Sequence, residues 1–207
     1  LNGDRAVAFS NGSREVIDGR WDQCLSFTIL KNDKSLQQWD VTSDPPLITV
    51  TAPETTGAQP LTFNASDPDS RAEARDYFAR YLPAQGGHTR QLVSTGAGIF
   101  DSRLSGISLI NPETVKVLSR AAGVELDPRR YRGNLLLEGL AAFKEFDLIG
   151  KVLRIGQMRM LITKSIERCS ATSVNPESTR VDVNGPRLLA THFGHLHCGI
   201  YGTVLEA

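Results

Sequence analysis

The sequence holds no apolar run approaching the ~20 residues that a membrane-crossing helix needs. It also has no excess of either charge, with Lys plus Arg and Asp plus Glu at 23 each. The first absence argues against a membrane span. The second argues against a chain-wide basic field able to hold a nucleic-acid backbone or an anionic membrane surface. Cysteine is scarce: Cys24, Cys169 and Cys198 are the only three. They form no paired spacing, whereas a secreted disulfide scaffold would be denser and usually even in number, so free thiols are expected. The opening Leu1-Asn2-Gly3-Asp4-Arg5 does not read as a signal peptide, and a cytoplasmic location is the expectation. A glycine-rich phosphate loop, an HExxH zinc helix and a nucleophile elbow are all missing. So are internal repeats and low-complexity tracts, which sets aside arrays and disordered tails.

What is present suits an ordinary globular core, with 40% hydrophobic residues in 207, enough for one domain or two small ones. Early strand-like runs are Ala6-Val7-Ala8-Phe9, Leu47-Ile48-Thr49-Val50-Thr51 and Leu61-Thr62-Phe63. Asp67-Pro68-Asp69-Ser70 then opens a helix whose Ala74, Tyr77, Phe78, Tyr81 and Leu82 recur at the helical period. The Pro/Gly-containing stretch 83–87 stops it and marks a boundary, giving domains 1–88 and 89–207, with a new strand at 90–94. Further on, Ile107-Ser108-Leu109-Ile110 reads as a strand, and Asn111-Pro112-Glu113 supplies the cap, proline and acid that open a helix to about Ala122. Strands are expected at 134–137, 151–155, 157–169 and 199–204. In the long one, Met158, Met160, Ile162 and Ile166 share a face, and Cys169 lies on the other with Leu161, Thr163 and Ser165. Alternating rather than continuous apolar strands predict antiparallel pairing and a mainly β fold.

Three groups could carry chemistry. Arg168-Cys169-Ser170-Ala171-Thr172 puts a thiol where a long strand leaves its sheet, and a soft thiolate suits a soft or redox-active metal. The alternative is a small buried core cysteine; a Cys–His nucleophile would lack any local signature. Arg132-Gly133-Asn134 offers a guanidinium fork and an amide beside a glycine that admits a ligand to the backbone, which suits phosphate or a polar heterocycle, and a solvated turn is equally compatible. Gly3-Asp4-Arg5 has the same two readings. His192, His195, His197 and Cys198 form the densest metal-capable cluster. On a strand His195 and His197 share one face and Cys198 takes the other, so solvated or core histidines are expected rather than a converged zinc site.

Taken together, these pieces resemble the MOSC family, named for the C-terminal domain of molybdenum cofactor sulfurase, and its relative the mitochondrial amidoxime-reducing component. The resemblance is strongest over 127–206. Tyr131-Arg132-Gly133-Asn134 looks like the family's aromatic-Arg-x-Asn strand, and Gly139-Leu140 with the following 143–149 looks like its Gly-Leu and acidic-aromatic connection. Leu153-Arg154-Ile155-Gly156 is similar to its Arg-Ile-Gly turn. Ile166-Glu167-Arg168-Cys169-Ser170-Ala171-Thr172 with Asn175-Pro176-Glu177 is similar to its most distinctive motif, and Gly199-Ile200-Tyr201 to its closing strand. More thinly, Gly3-Asp4-Arg5 and the segment Asp101-Ser102 through Ser108-Leu109-Ile110-Asn111 resemble positions that hold pterin and phosphate in relatives. Ser178-Thr179 stands where relatives usually carry Thr-Gly. Relatives also carry a Pro-x-Lys-Ser strand upstream of Gly-Asp-Arg, and restoring residues before Leu1 is expected to raise cofactor occupancy.

The resemblance implies a small N-terminal β-rich domain preceding a MOSC β-barrel with short helices, and a molybdenum cofactor of the molybdopterin type between them. It implies Cys169 as the metal ligand; Arg5, Ser102, Arg132, Asn134 and Arg168 as cofactor-binding residues; and Asp101 beside the substrate, as a catalytic residue with Cys169. The implied chemistry is reduction of N-hydroxylated small molecules, with a separate electron-donor protein as partner. The alternative is a carrier of cofactor or sulfur on Cys169 that turns nothing over.

Overall fold

Three times among the described residues an Asx side chain caps an α-helix that carries proline in its first turn. In the computed structural model, which describes residues 7–20, 22–94 and 106–206, Asp67 accepts a hydrogen bond from the Ser70 N–H at the head of α1 (Pro68–Tyr81). Asn111 accepts from Glu113 N–H at α2 (Pro112–Ala122), and Asn184 from Arg187 N–H at α3 (Gly185–Phe193). Each cap satisfies a backbone donor that a helix start leaves open. The third helix was not expected; His192, read as standing before the last strand, lies in its final turn.

The chain divides into two compact units, Leu1–Arg103 and Leu104–Ala207. The first contains β1 (Val7–Phe9), β2 (Asp40–Asp44), β3 (Leu47–Thr51), β4 (Leu61–Asn64) and β5 (Leu92–Ser94). β2, β3 and β4 form an antiparallel meander, and β1 pairs antiparallel with β5. That last pairing explains why the unit runs past the expected break after residue 88: the Pro/Gly stretch is a turn inside the unit, and the strand beyond it returns to β1. Ile48, Val50 and Phe63 point inward to Phe9, Ala74, Leu82 and Leu92, with Trp39 and Phe78 packed against them. Thr49 and Thr62, on the outer face, share a hydrogen bond of 2.8 Å.

The second unit is a five-stranded sheet of β6 (Ile107–Ile110), β7 (Leu135–Leu136), β8 (Val152–Ile155), β9 (Met158–Glu167) and β10 (His197–Glu206), in the order β7-β6-β10-β9-β8. It curls into a half-barrel, and among the described residues the chain is mainly sheet with three short α-helices. All pairings in it are antiparallel except β6 with β7. The alternation read along β9 holds: Met160, Ile162 and Ile166 are buried, the first two packed with Leu109 and Ile200. A second cluster joins Ile110, Val115, Leu118, Tyr131, Leu189 and Cys198, so that α2 and α3 share an apolar seam with the sheet. Among the described residues no helix is long and apolar enough to cross a membrane.

Candidate functional site

The site is built at the end of β9. There the Arg168 N–H still donates to the Leu196 carbonyl (2.9 Å), and the next residue leaves the sheet. Cys169, in extended conformation, stands at the head of a 3-10 turn, Ser170–Ser173. Its carbonyl accepts from both the Thr172 N–H (3.2 Å) and the Thr172 hydroxyl (2.9 Å). The backbone is thus pinned while the thiol is exposed. Gly185, at the start of α3, lies so close to the Thr172 hydroxyl that a Cβ there would collide with it, which fixes α3 against the turn.

Arg168 points the other way, into the interior. Its Nε donates to the Cys198 carbonyl (2.7 Å), its Nη1 to the Tyr131 carbonyl (2.9 Å), and the guanidinium stands 5.4 Å from the centre of the Tyr131 ring. Nη2 is buried without a hydrogen-bond partner. Burial lowers the Arg168 pKa and raises that of the Tyr131 phenol, because both charged forms lose water. The same burial pushes the Cys198 thiol up to about 12, which keeps it protonated and inert at neutral pH. Gly199 sits at φ +79°, and a Cβ there would come within 2.6 Å of the Leu109 carbonyl and 3.0 Å of Arg168 Nη2, so the strand can pass Arg168 only as glycine.

Tyr131 ends the 3-10 turn Pro128–Tyr131, which Asp127 caps by accepting from the Arg129 N–H (2.7 Å). Arg132 follows in the left-handed region, φ 50° and ψ 41°, with its side chain exposed. Asn134 has a different task. Its Oδ1 accepts from the Ser108 N–H (2.9 Å) and hydroxyl (2.8 Å), while its own N–H donates to the Ser108 carbonyl (2.9 Å). It therefore fastens the short parallel strand β7 to β6. Asn111, by contrast, is fully buried: its Nδ2 donates to the Ala141 carbonyl and to Glu145 (both 2.9 Å).

Of the residues expected from sequence, Cys169, Arg168, Arg132 and Asn134 are gathered at this one end of the sheet. The Arg168 bond to Tyr131, one residue before Arg132, links the thiol strand to the arginine turn. Cys169 and Arg132 face solvent; Arg168 and the Asn134 carbonyl face protein. Arg5, Asp101 and Ser102 lie outside the described residues. The histidines do not converge on Cys198: His195 Nδ1 accepts from the His197 N–H (3.1 Å), and His197 Nδ1 meets the Ser165 hydroxyl (3.1 Å). Among the described residues no group of three His, Cys, Asp or Glu side chains is placed to hold a metal ion.

Sequence reading missed Arg130, whose side chain is 2% exposed and whose Nη2 meets Asp182 at 2.6 Å. It also missed Glu145, wholly buried against Asn111 and Thr114. A charged residue inside a turn carries no periodic signal of burial, so nothing local pointed to either.

Residues 102–207 match the family model of the MOSC domain. The chain belongs to the MOSC domain family. The match covers the whole described part of the second unit, including Cys169, Arg132 and the turns that hold them. No curated protein sequence matches the chain. MOSC domains are associated with the molybdenum cofactor. The outward-facing residues fit such a group in kind: an exposed thiol is a soft donor for a soft or redox-active metal, and an exposed guanidinium is a bidentate partner for phosphate.

Proposed function

We propose that the MOSC domain binds a molybdenum cofactor of the molybdopterin type through Cys169, and that the protein reduces N-hydroxylated small molecules with electrons from a separate donor protein. The observation that carries this reading is the contrast among the three thiols. Cys169 is exposed, Cys24 is half-buried and Cys198 is buried. Only the first couples an open sulfur to a pinned backbone, at a strand end that Arg168 ties to the residue before the exposed Arg132.

In this reading the Cys169 thiolate ligates the metal, and Arg132 grips the phosphate with its planar fork, joined by Arg5 and Ser102. Arg168 and Asn134 act from behind, holding the strand end and the arginine turn in place, and Asp101 borders the substrate. When bound, the cofactor would supply a two-electron redox centre for cleaving the substrate's N–O bond, the donor protein providing the two electrons and two protons carrying the oxygen away as water. The chain's own residues provide ligand, orientation and access.

The test is molybdenum per mole of protein, in chains made in a cofactor-producing host, followed by an assay of amidoxime reduction. Cys169→Ser should lose the metal and keep its fold, because an alcohol is a harder and far less acidic ligand of nearly the same size. Cys24→Ser and Cys198→Ser should keep the metal. Arg132→Lys should hold the cofactor roughly tenfold more weakly, since a point charge cannot reproduce a bidentate fork. Equal metal content in Cys169→Ser and the parent would sink the reading. Metal held through Cys169 without any reduction would assign the carrier role instead.

A further inference from the structure

The turn Pro128–Tyr131, which presents Arg132, and the turn Ser170–Ser173, which follows Cys169, are joined by two buried guanidinium groups running in opposite directions. From the Cys169 side, Arg168 reaches back to the Tyr131 carbonyl (2.9 Å). From the Arg132 side, Arg130 reaches across to the Ser173 carbonyl (3.4 Å) and to Asp182 Oδ2 (2.6 Å). The same carboxylate oxygen accepts from Asn175 Nδ2 (2.7 Å). Arg130 therefore holds both ends of the loop 174–184 at once. Between those ends the chain is drawn in further, as the Gly185 N–H donates to the Ser173 hydroxyl (3.1 Å).

The Asp182 carboxyl is held below the usual carboxylate range, chiefly by its bond to Arg130 and then by Asn175, against the opposing effect of burial. Breaking this pair from one side leaves a guanidinium in the interior with too few acceptors, for its Nε is already without a partner. Arg129 makes an instructive neighbour. It also bridges the two loops, to Glu177 at 3.1 Å, but both side chains are exposed, so water replaces that contact readily.

We propose that the Arg130–Asp182 pair is a positioning device for Cys169: it locks the loop after the thiol onto the turn that presents Arg132, so that ligand and phosphate grip keep one spacing. This rests on the reading of Cys169 as the cofactor ligand. Arg130 and Asp182 touch no cofactor; they act through the Ser170–Ser173 turn. Because the clasp crosses, with one arginine from the strand end before Cys169 and one from the turn before Arg132, loosening either arm lets the thiol move relative to Arg132 while the sheet and its apolar core stay intact.

The experiment places a trifluoromethyl ketone label on Cys169 of the full chain in a Cys24→Ser background, where Cys198 is too buried to react. It reads the label by fluorine NMR, and separately the rate of Cys169 alkylation and the unfolding midpoint. Arg130→Gln and Asp182→Asn should each shift or split the fluorine line and change the alkylation rate by roughly threefold or more. The double variant should match the single ones rather than sum them, as expected for partners in one interaction. Arg129→Gln should superimpose on the parent. If Arg130→Gln does not fold, Asp182→Asn, at a residue 37% exposed in its side chain, decides alone. A folded Asp182→Asn with the parent's fluorine line and alkylation rate would overturn the proposal. A shifted line together with parent-like metal in Cys169→Ser would leave the positioning role standing and remove Cys169 as ligand. An unchanged line with metal lost in Cys169→Ser would do the reverse.

Discussion

Arg90 in the first unit and Arg130 and Arg168 in the second are all buried, but on different terms. In the first unit Arg90 gives every guanidinium nitrogen a partner: Nε to the Ser10 carbonyl (3.0 Å), Nη1 to the carbonyls of Leu82 (2.8 Å) and Pro83 (3.1 Å), and Nη2 to the Thr28 hydroxyl (2.8 Å). Its cation also lies 4.0 Å over the Phe9 ring. In the second unit Arg130 and Arg168 each keep one buried nitrogen without a partner. A satisfied buried cation is a staple, whereas an incompletely satisfied one persists because its placement serves something else. The first unit spends its arginine on closing a core. The second spends its pair beside the residues proposed to hold the cofactor.

That contrast can be broken most sharply by removing the cations. Arg90→Leu strands three carbonyls and a hydroxyl and should cost roughly 3 to 5 kcal/mol of stability, while Arg168→Leu strands two carbonyls, relieves an unpaired nitrogen and should cost about 2 kcal/mol. Urea unfolding of both variants checks the order, and equal losses would mean that satisfaction does not distinguish the two sites.

A smaller effect sharpens the picture of polar burial in the second unit. Thr114 Oγ1 accepts from the Phe143 N–H (2.8 Å) and donates to the Glu145 carboxylate (2.9 Å), to which Asn111 Nδ2 also donates at Oε2 (2.9 Å). Glu145→Gln sets an amide donor against one of these donors, for a loss of about 2 kcal/mol. A parent-like unfolding midpoint would show that the carboxylate is not needed there.

The smallest effect is one of pH. Burial, and then the neighbouring His197, lower the His195 pKa below its ordinary 6.5, with Glu145 pulling the other way. The unfolded chain then binds this proton more readily than the folded one, so the stability contributed by neutral His195 is complete above the unfolded pKa and is lost as pH falls from there through the lower folded pKa. Protonation also turns Nδ1 into a donor facing the His197 N–H, which it accepts from when neutral. The unfolding midpoint of the second unit should fall between pH 7.5 and pH 5.5. His195→Asn, whose side-chain oxygen can still accept that N–H, should lose this part of the dependence; a parent-like dependence in that variant would trace the effect to another group.

Legibility in the sequence followed the range of the interactions. α1 and α2 could be read because cap, proline and apolar period lie within a few residues of each other. α3 has the same Asx cap and proline, but Gly185 between them makes Asn184-Gly185-Pro186 equally compatible with a turn. β3 and β9 were legible from alternation. β2, exposed at every position, has no buried face to impose a pattern and appears only through its pairing with β3. At the site, the thiol's exposure followed from the parity of β9, and the ordered motifs gave the family. The inward turn of Arg168, the use of the Asn134 carbonyl on Ser108 and the burial of Arg130 depend on partners between 26 and 52 residues away, beyond anything a local pattern records.

Thr179 holds φ +59°, a conformation that costs an ordinary residue roughly 1 to 2 kcal/mol and suits β-branched ones least. The loop keeps its path nevertheless: the Thr179 N–H is held by the Asn175 carbonyl (2.9 Å), the Asn175 side chain accepts from Glu177 and Ser178, and its backbone N–H donates to Arg180 (2.8 Å). Thr179 therefore records how rigidly the segment beyond Cys169 is framed: the hydrogen bonds centred on Asn175 impose a backbone that a β-branched residue would not choose for itself.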